Sequence, residues 1–277
     1  MTAQPATPVP TGDRVVVDPG LVQRARRALQ DTNSVLWRDT IRTMRQPDLL
    51  VFAVVMGVFF LILFNYVFGG SIGAGAGIDY LDFLVPGVLV ITALQGAQQT
   101  SLGLAADLTE GVTDRFRSLP MSQVAVIAGR TVADAVRNVA GLVLVALVAL
   151  LMGYRFASLG GAIGAVALTT AIGFGFSWLG AAIAVKVRQP DMVGMLSMFW
   201  LFPLMLASTA FAPAETMPGW LQPFVEYQPI SASSDAVRGL ANGSPAGGDI
   251  LLSLGWTAAL LLLFVPISVR LYRKGRP

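Results

Sequence analysis

The chain has 277 residues, 55% of them hydrophobic and only 13% charged, with a mean hydropathy of +0.67. About a quarter of the residues in a soluble domain are charged, so this composition excludes an ordinary soluble protein and points to one that crosses a membrane several times. There is no Cys and no His, which removes thiol chemistry, most zinc sites and the commonest general base, and the net charge of +3 is explained below by topology without invoking nucleic acid.

Residues 1–20 are polar, rich in proline and without an apolar core, so they read as a disordered tail and not as a cleavable signal peptide. Residues 21–46 predict an amphipathic helix. At 100° per residue Leu29, Leu36, Trp37, Ile41 and Met44 share one face. Arg24, Arg27, Arg38, Arg42 and Arg45 share the other, with Arg26 the exception. An Arg-rich face opposite an apolar one suits a helix lying in the headgroup plane; a cytosolic helix packed on a partner protein is the other reading. Gln46-Pro47-Asp48 then makes an elbow, because the residue before proline leaves the helical region.

Six apolar stretches follow, at 49–68, 83–106, 122–152, 159–185, 192–212 and 250–271, each long enough to cross about 30 Å of hydrocarbon. Asn65 interrupts the first. Gly69 to Asp82 reads as a glycine-rich loop. The second carries Gln95, Gln98 and Gln99, amides that at such a depth must face protein or a water-lined path. In the third, Arg130, Asp134 and Arg137 share one helical face, either as a stiff lever or as a surface salt-bridge ladder. In the fourth, Gly160-x-x-x-Gly164 permits close helix approach. Residues 213–249 are too long for a simple connection and too apolar for an ordinary loop. Pro218, Pro223 and Pro229 prevent one long helix there, and Trp220 sits among them. Two short helices dipping into the outer leaflet and returning fit this pattern.

Between the second and third stretches lies a charged island, Asp107 to Ser122, with Glu110, Gly111, Asp114, Arg115, Arg117, Leu119 and Pro120. A charge in hydrocarbon costs several kcal/mol, roughly 3 at a helix centre, so the island lies in water or against a soluble partner. Charge and position alone leave two readings: a solvated loop that sets topology, or a surface that receives force. A second charged turn, with Arg188, Gln189, Pro190 and Asp191, separates the fourth and fifth stretches. Of the 19 basic residues, 17 fall on one side of a six-span arrangement and only Arg155 and Arg238 on the other. The basic side is cytosolic, so both termini are expected inside.

The sequence has no Gly-x4-Gly-Lys-Ser/Thr phosphate loop, no Ser-His pair, no His/Cys metal cluster and no buried carboxylate cluster, so no nucleotide hydrolysis and no resident metal are expected of it. Three classes remain: an export permease driven by another subunit, a stand-alone channel or secondary transporter suggested by the amide cluster, and an intramembrane enzyme, which the missing catalytic groups disfavour.

Several motifs then carry a resemblance. Tyr66-Val67-Phe68-Gly69-Gly70 ends the first span and Tyr80-Leu81-Asp82-Phe83-Leu84-Val85-Pro86-Gly87 opens the second. Glu110-Gly111 through Arg115, Leu119-Pro120-Met121-Ser122, Met217-Pro218-Gly219-Trp220-Leu221 and Gln228-Pro229-Ile230 through Arg238-Gly239-Leu240 follow in order. Over residues 35–272 the chain resembles the membrane subunits of ABC-2 type exporters, especially the daunorubicin-resistance-like permeases. It departs at Val112-Thr113-Asp114, where the family often has Thr-Leu-Glu. The resemblance implies an all-α integral membrane fold with six transmembrane helices, an N-terminal interfacial helix and an external re-entrant hairpin. It implies two nucleotide-binding ATPase subunits that hold ATP and Mg, and a second membrane subunit, a copy or a relative. The island becomes the coupling segment, residues 188–191 a second cytosolic contact, and Asn65 with the three glutamines a path for a hydrophobic or amphiphilic drug or lipid.

Overall fold

The computed structural model describes residues 47–76, 79–109, 123–244 and 246–274. The tail, the predicted interfacial helix with Trp37, Arg38, Arg42 and Arg45, and the island from Glu110 to Ser122 lie outside the described residues. Among the described residues the structure is helical, with no strand. In chain order the helices are α1 (Pro47–Ala76), α2 (Tyr80–Thr109), α3 (Gln123–Leu151), α4 (Leu159–Val187), α5 (Pro190–Leu206), α6 (Gln222–Tyr227), α7 (Pro229–Asn242) and α8 (Gly247–Lys274), with a single 3-10 turn at Ala214–Thr216. Four of them, α2, α3, α4 and α8, are long and apolar enough to cross a membrane; Val54–Gly70 of α1 and the whole of α5 are shorter apolar helices.

The helix ends follow local chemistry. Asp79 caps α2, its carboxylate accepting from Leu81 N at 3.0 Å. Ser158 caps α4, its hydroxyl accepting from Gly161 N at 2.9 Å. Arg188 ends α4 in the left-handed conformation, φ 61°, while its N–H reaches Ala184 O. Pro190 then opens α5, where its missing N–H costs nothing.

Two ends differ from the sequence expectation. The glycine-rich stretch after Phe68 is not a loop from its start: α1 continues through Ala76. Extending an existing helix adds one backbone bond per residue, which offsets a glycine penalty of about 1 kcal/mol. At the other end, α5 stops at Leu206 and not at 212. Pro203 deletes one bond of its last turns, and the amide of Gln228 takes over the final carbonyls, donating to Leu204 O at 3.0 Å and Ala207 O at 2.7 Å. Residues 208–211 are buried as irregular chain beneath α7, an arrangement workable in a membrane protein only because their polar groups find protein partners.

α2 is the centre of the molecule. Every residue from Leu84 to Leu94 is buried, surrounded by α1, α3, α4, α5 and α7. α4 packs along it and carries α8 on its far side. Toward α7 the close-approach glycine of α4 is Gly161 and not Gly160, with Gly164 in ordinary contact with the Leu240 side chain, while Gly180 approaches Ser101 of α2. A Cβ on Gly161 would sit 2.3 Å from Leu240 O of α7, whereas one on Gly160 meets only Ser158 Oγ at 3.9 Å. A second apolar cluster around Trp178, Val185, Val193 and Tyr272 closes the end of the bundle where α4 turns into α5.

Candidate functional site

The glutamines of α2 are spaced i, i+3, i+4, which places Gln95, Gln98 and Gln99 on one helical face. That face opens on a cavity of about 240 Å³ between α1, α2 and α5, walled by Met56, Phe60, Met198, Leu201, Phe202 and Met205. All three glutamine side chains are half-buried, and none is hydrogen-bonded to protein among the described residues. Amides in apolar surroundings without partners favour water or the polar atoms of a guest. The methionines supply a polarisable wall that adapts to different shapes. α5 is held in place from behind by Trp200, which stacks on Phe176 of α4 at 5.5 Å between centroids. Asn65, read from sequence with the glutamines, does not line this cavity; it lies further along α1, with its amide oxygen near Gly69.

At one end of the bundle the last turn of α2 meets the 188–191 turn. Thr109, the last residue of α2 and the neighbour of Glu110, donates its hydroxyl to Arg188 O at 2.6 Å. Gln189, Pro190 and Asp191 continue directly into the first turn of α5. Residues 107–109, the described part of the island, therefore lie beside the 188–191 turn. On α3, Asp134 pairs with Arg137 at 2.7 Å and is buried; the Arg130 side chain lies outside the described residues.

The opposite end holds a polar knot that the sequence reading missed. Arg238 of α7 donates Nε to Phe83 O at 3.1 Å and Nη2 to Thr209 O at 2.8 Å, pairs through Nη1 with Asp235, and lies over the Phe83 ring at 3.7 Å. Asp235 in turn accepts from Thr209 Oγ1 at 3.0 Å. Beside it, Tyr154 donates to Asn242 Oδ1 at 2.7 Å and Asn242 donates to Asp82 O at 3.1 Å. Burial pushes the Tyr154 phenol above its ordinary range, Asp82 adds to the rise and Arg238 opposes it, so the hydroxyl stays a donor. The motifs read from sequence contain Asp82, Phe83 and Arg238, but nothing in them, nor the spacing of Asp235 and Arg238 three apart, shows that they meet. Gln228, read from sequence only as the start of the Gln228-Pro229-Ile230 motif, has a capping role that the sequence did not show. It closes α6, opens α7, caps α5 through the two carbonyls described above, and also donates to Ser231 Oγ of α7 at 3.1 Å. The prolines have ordinary structural places: Pro218 O accepts from Leu221 N at 2.8 Å and Pro229 is the first residue of α7. Trp220, between them, is 81% exposed.

Comparison with known proteins agrees with this architecture. The ABC-2 type transporter family matches residues 30–241. The daunorubicin resistance ABC transporter permease protein DrrB1 of Streptomyces coeruleorubidus is 36% identical over 274 residues, covering 99% of this chain and 96% of its own. The probable doxorubicin resistance ABC transporter permease protein DrrC of Mycobacterium tuberculosis is 26% identical over 93% of each chain. A putative transport permease, ycf38, of Cyanophora paradoxa is 22% identical over 89% of each. With four long apolar helices, no phosphate loop of its own and a family match across most of its length, the chain belongs to the ABC-2 type transporter family as a multi-pass membrane permease subunit whose ATPase is a separate subunit.

Proposed function

We propose that this permease exports a hydrophobic or amphiphilic drug, lipid or lipid-linked molecule. The cargo binds against the amide-and-methionine cavity, and the work of ATP hydrolysis enters through the island at 107–122. The observation that carries this reading is the cavity itself: three unpartnered amides within an otherwise apolar wall suit a large apolar guest bearing a few polar atoms. Relatives named for daunorubicin and doxorubicin resistance support a cargo of that type. At about 240 Å³ the cavity falls below the roughly 300–1,000 Å³ of a drug-sized site, so one chain supplies part of the wall. Met198 and Phe202 belong both to the cavity and to the exposed ridge of α5 with Met195 and Phe199, which favours a second membrane subunit, a copy or a relative, completing the site there. In this reading two ATPase subunits hold ATP and Mg and dock on the surface formed by the island and residues 188–191. Six spans cross a bacterial plasma membrane with both termini cytoplasmic, residues 21–46 lie along the inner surface, and α6 with α7 forms a re-entrant hairpin on the outside.

The test is uptake of fluorescent doxorubicin into inside-out vesicles that hold the chain and its ATPase partner. ATP-dependent accumulation is the expected result. Glu110→Lys should abolish accumulation while leaving membrane insertion and the partner's ATP hydrolysis in place. Met198→Trp, which fills the cavity, should lower the initial rate at least fivefold, again with hydrolysis retained. Normal accumulation in both variants would sink the proposal. Flux through the purified chain alone, without ATP, would replace it with the channel reading.

A further inference from the structure

On the side of α4 away from the cargo cavity, a separate groove of about 870 Å³ runs between α3 and α4. Val139, Val143, Leu147 and Leu150 form one wall, Ile163 and Val166 the other. It shares no residue with the cavity of the glutamines. From Val139 to Leu150 the helix rises about 17 Å, close to half of the ~30 Å hydrocarbon thickness, so the groove is one leaflet deep.

A single cation stands at its mouth. Arg155, in the loop between the two helices, lines the groove and is exposed. One guanidinium nitrogen, Nη1, is anchored on Leu150 O at 2.9 Å and Tyr154 O at 3.0 Å. The remaining donors have no protein partner, and no carboxylate pairs with Arg155 among the described residues. A guanidinium held at a fixed height, with donors to spare, is suited to a phosphate. Apart from Arg155, Ser158 and Thr170 its lining is apolar, and the cation lies at one end, which suits an acyl chain beneath an anionic headgroup.

We propose that this groove is a resident site for an anionic phospholipid of the outer leaflet, with one acyl chain between α3 and α4 and the phosphate on Arg155. The proposal rests on the reading in which α3 and α4 cross the bilayer and their connecting loop is external.

The experiment reconstitutes the full chain in nanodiscs with phosphatidylglycerol or phosphatidylcholine carrying the same photoactivatable acyl chain, and maps the labelled peptides. Phosphatidylglycerol should label residues 139–170 at least fivefold more than phosphatidylcholine at equal mole fraction. Arg155→Gln should bring that ratio near one without changing the melting temperature, and Arg155→Lys should retain most of it. Ala162→Trp, which fills the groove, should remove labelling of that segment by both lipids. Equal labelling by the two lipids, labelling spread evenly over α5 and α8, or an Ile163→Cys variant that crosslinks to another protein at this face would each overturn the site. Gly160→Cys, treated with a membrane-impermeant maleimide, separates the two levels of the argument. Labelling from outside with no lipid preference overturns the lipid site alone. Labelling solely from inside overturns the topology and the leaflet assignment with it.

Discussion

Arg238→Met is expected to destabilise the chain by about 2–3 kcal/mol, short of the roughly 3–5 kcal/mol for breaking a fully buried ion pair, because Arg238 and Asp235 are only partly buried. Arg238 serves three separate acceptors, Phe83 O, Thr209 O and Asp235, and covers the Phe83 ring. Methionine fills much of the same space but leaves a carboxylate and two carbonyls without their donor. Arg238→Lys should recover only part of the loss, because an ammonium cannot reproduce the planar fork that reaches all three. Combining Arg238→Met with Asp235→Leu should be milder than Arg238→Met alone, since the stranded charge is gone. The measurement is thermal unfolding of the detergent-solubilised chain, followed through its tryptophans. A melting temperature unchanged in Arg238→Met would show that the knot contributes nothing to stability.

Gly87→Val should be at least as damaging. A Cβ at this position would lie 2.1 Å from the carbonyl oxygen of Ala210 and 2.7 Å from its Cα and carbonyl carbon. The obstacle is main chain, and that main chain cannot retreat. Thr209 N donates to Ser231 Oγ at 3.0 Å, and Phe211 O accepts from Tyr80 Oη at 2.8 Å. Overpacking a core against movable side chains costs about 1–3 kcal/mol; against pinned backbone the upper end is a minimum. The expected outcome is loss of folded protein from the membrane fraction. Gly141→Val is the matched control, because a Cβ there has no atom within 4 Å, and its yield should stay near that of the parent. Equal yields of the two variants would mean that α2 and residues 208–211 are less closely packed than described.

The long helices were legible in the sequence because hydrocarbon thickness dictates their length and leaves the backbone no alternative. α4 runs from 159 to 187 where a span was read at 159–185, and α3 from 123 to 151 where one was read at 122–152. The alignment of Gln95, Gln98 and Gln99 was legible too, since helical spacing is a local property. What was not legible depends on partners far away in the chain. The early end of α5 requires Gln228, more than twenty residues later, to take its carbonyls. The role of Arg238 requires Phe83, 155 residues earlier. Asn65 appeared equivalent to the glutamines by composition, and only its position along α1 separates it from their cavity. The preference for Gly161 over Gly160 depends on the rotation of α4 toward Leu240, which a small-residue spacing does not fix.

The fixings of α5 have a mechanical consequence. The turn that leads into the helix is tied at Arg188 to Thr109, and the far end is tied through Leu204 and Ala207 to Gln228. A strut held at both ends answers a load by bowing, since sliding would break its fixings. Its weakest section is at Pro203, where one internal backbone bond is missing. Leu201, Phe202 and Met205 surround that section and form part of the cavity wall. Under the coupling proposed above, a push arriving at residue 109 would be taken up as curvature near Pro203, in the last turns of α5, and a small change in bend there would alter the width of the chamber that the glutamines face.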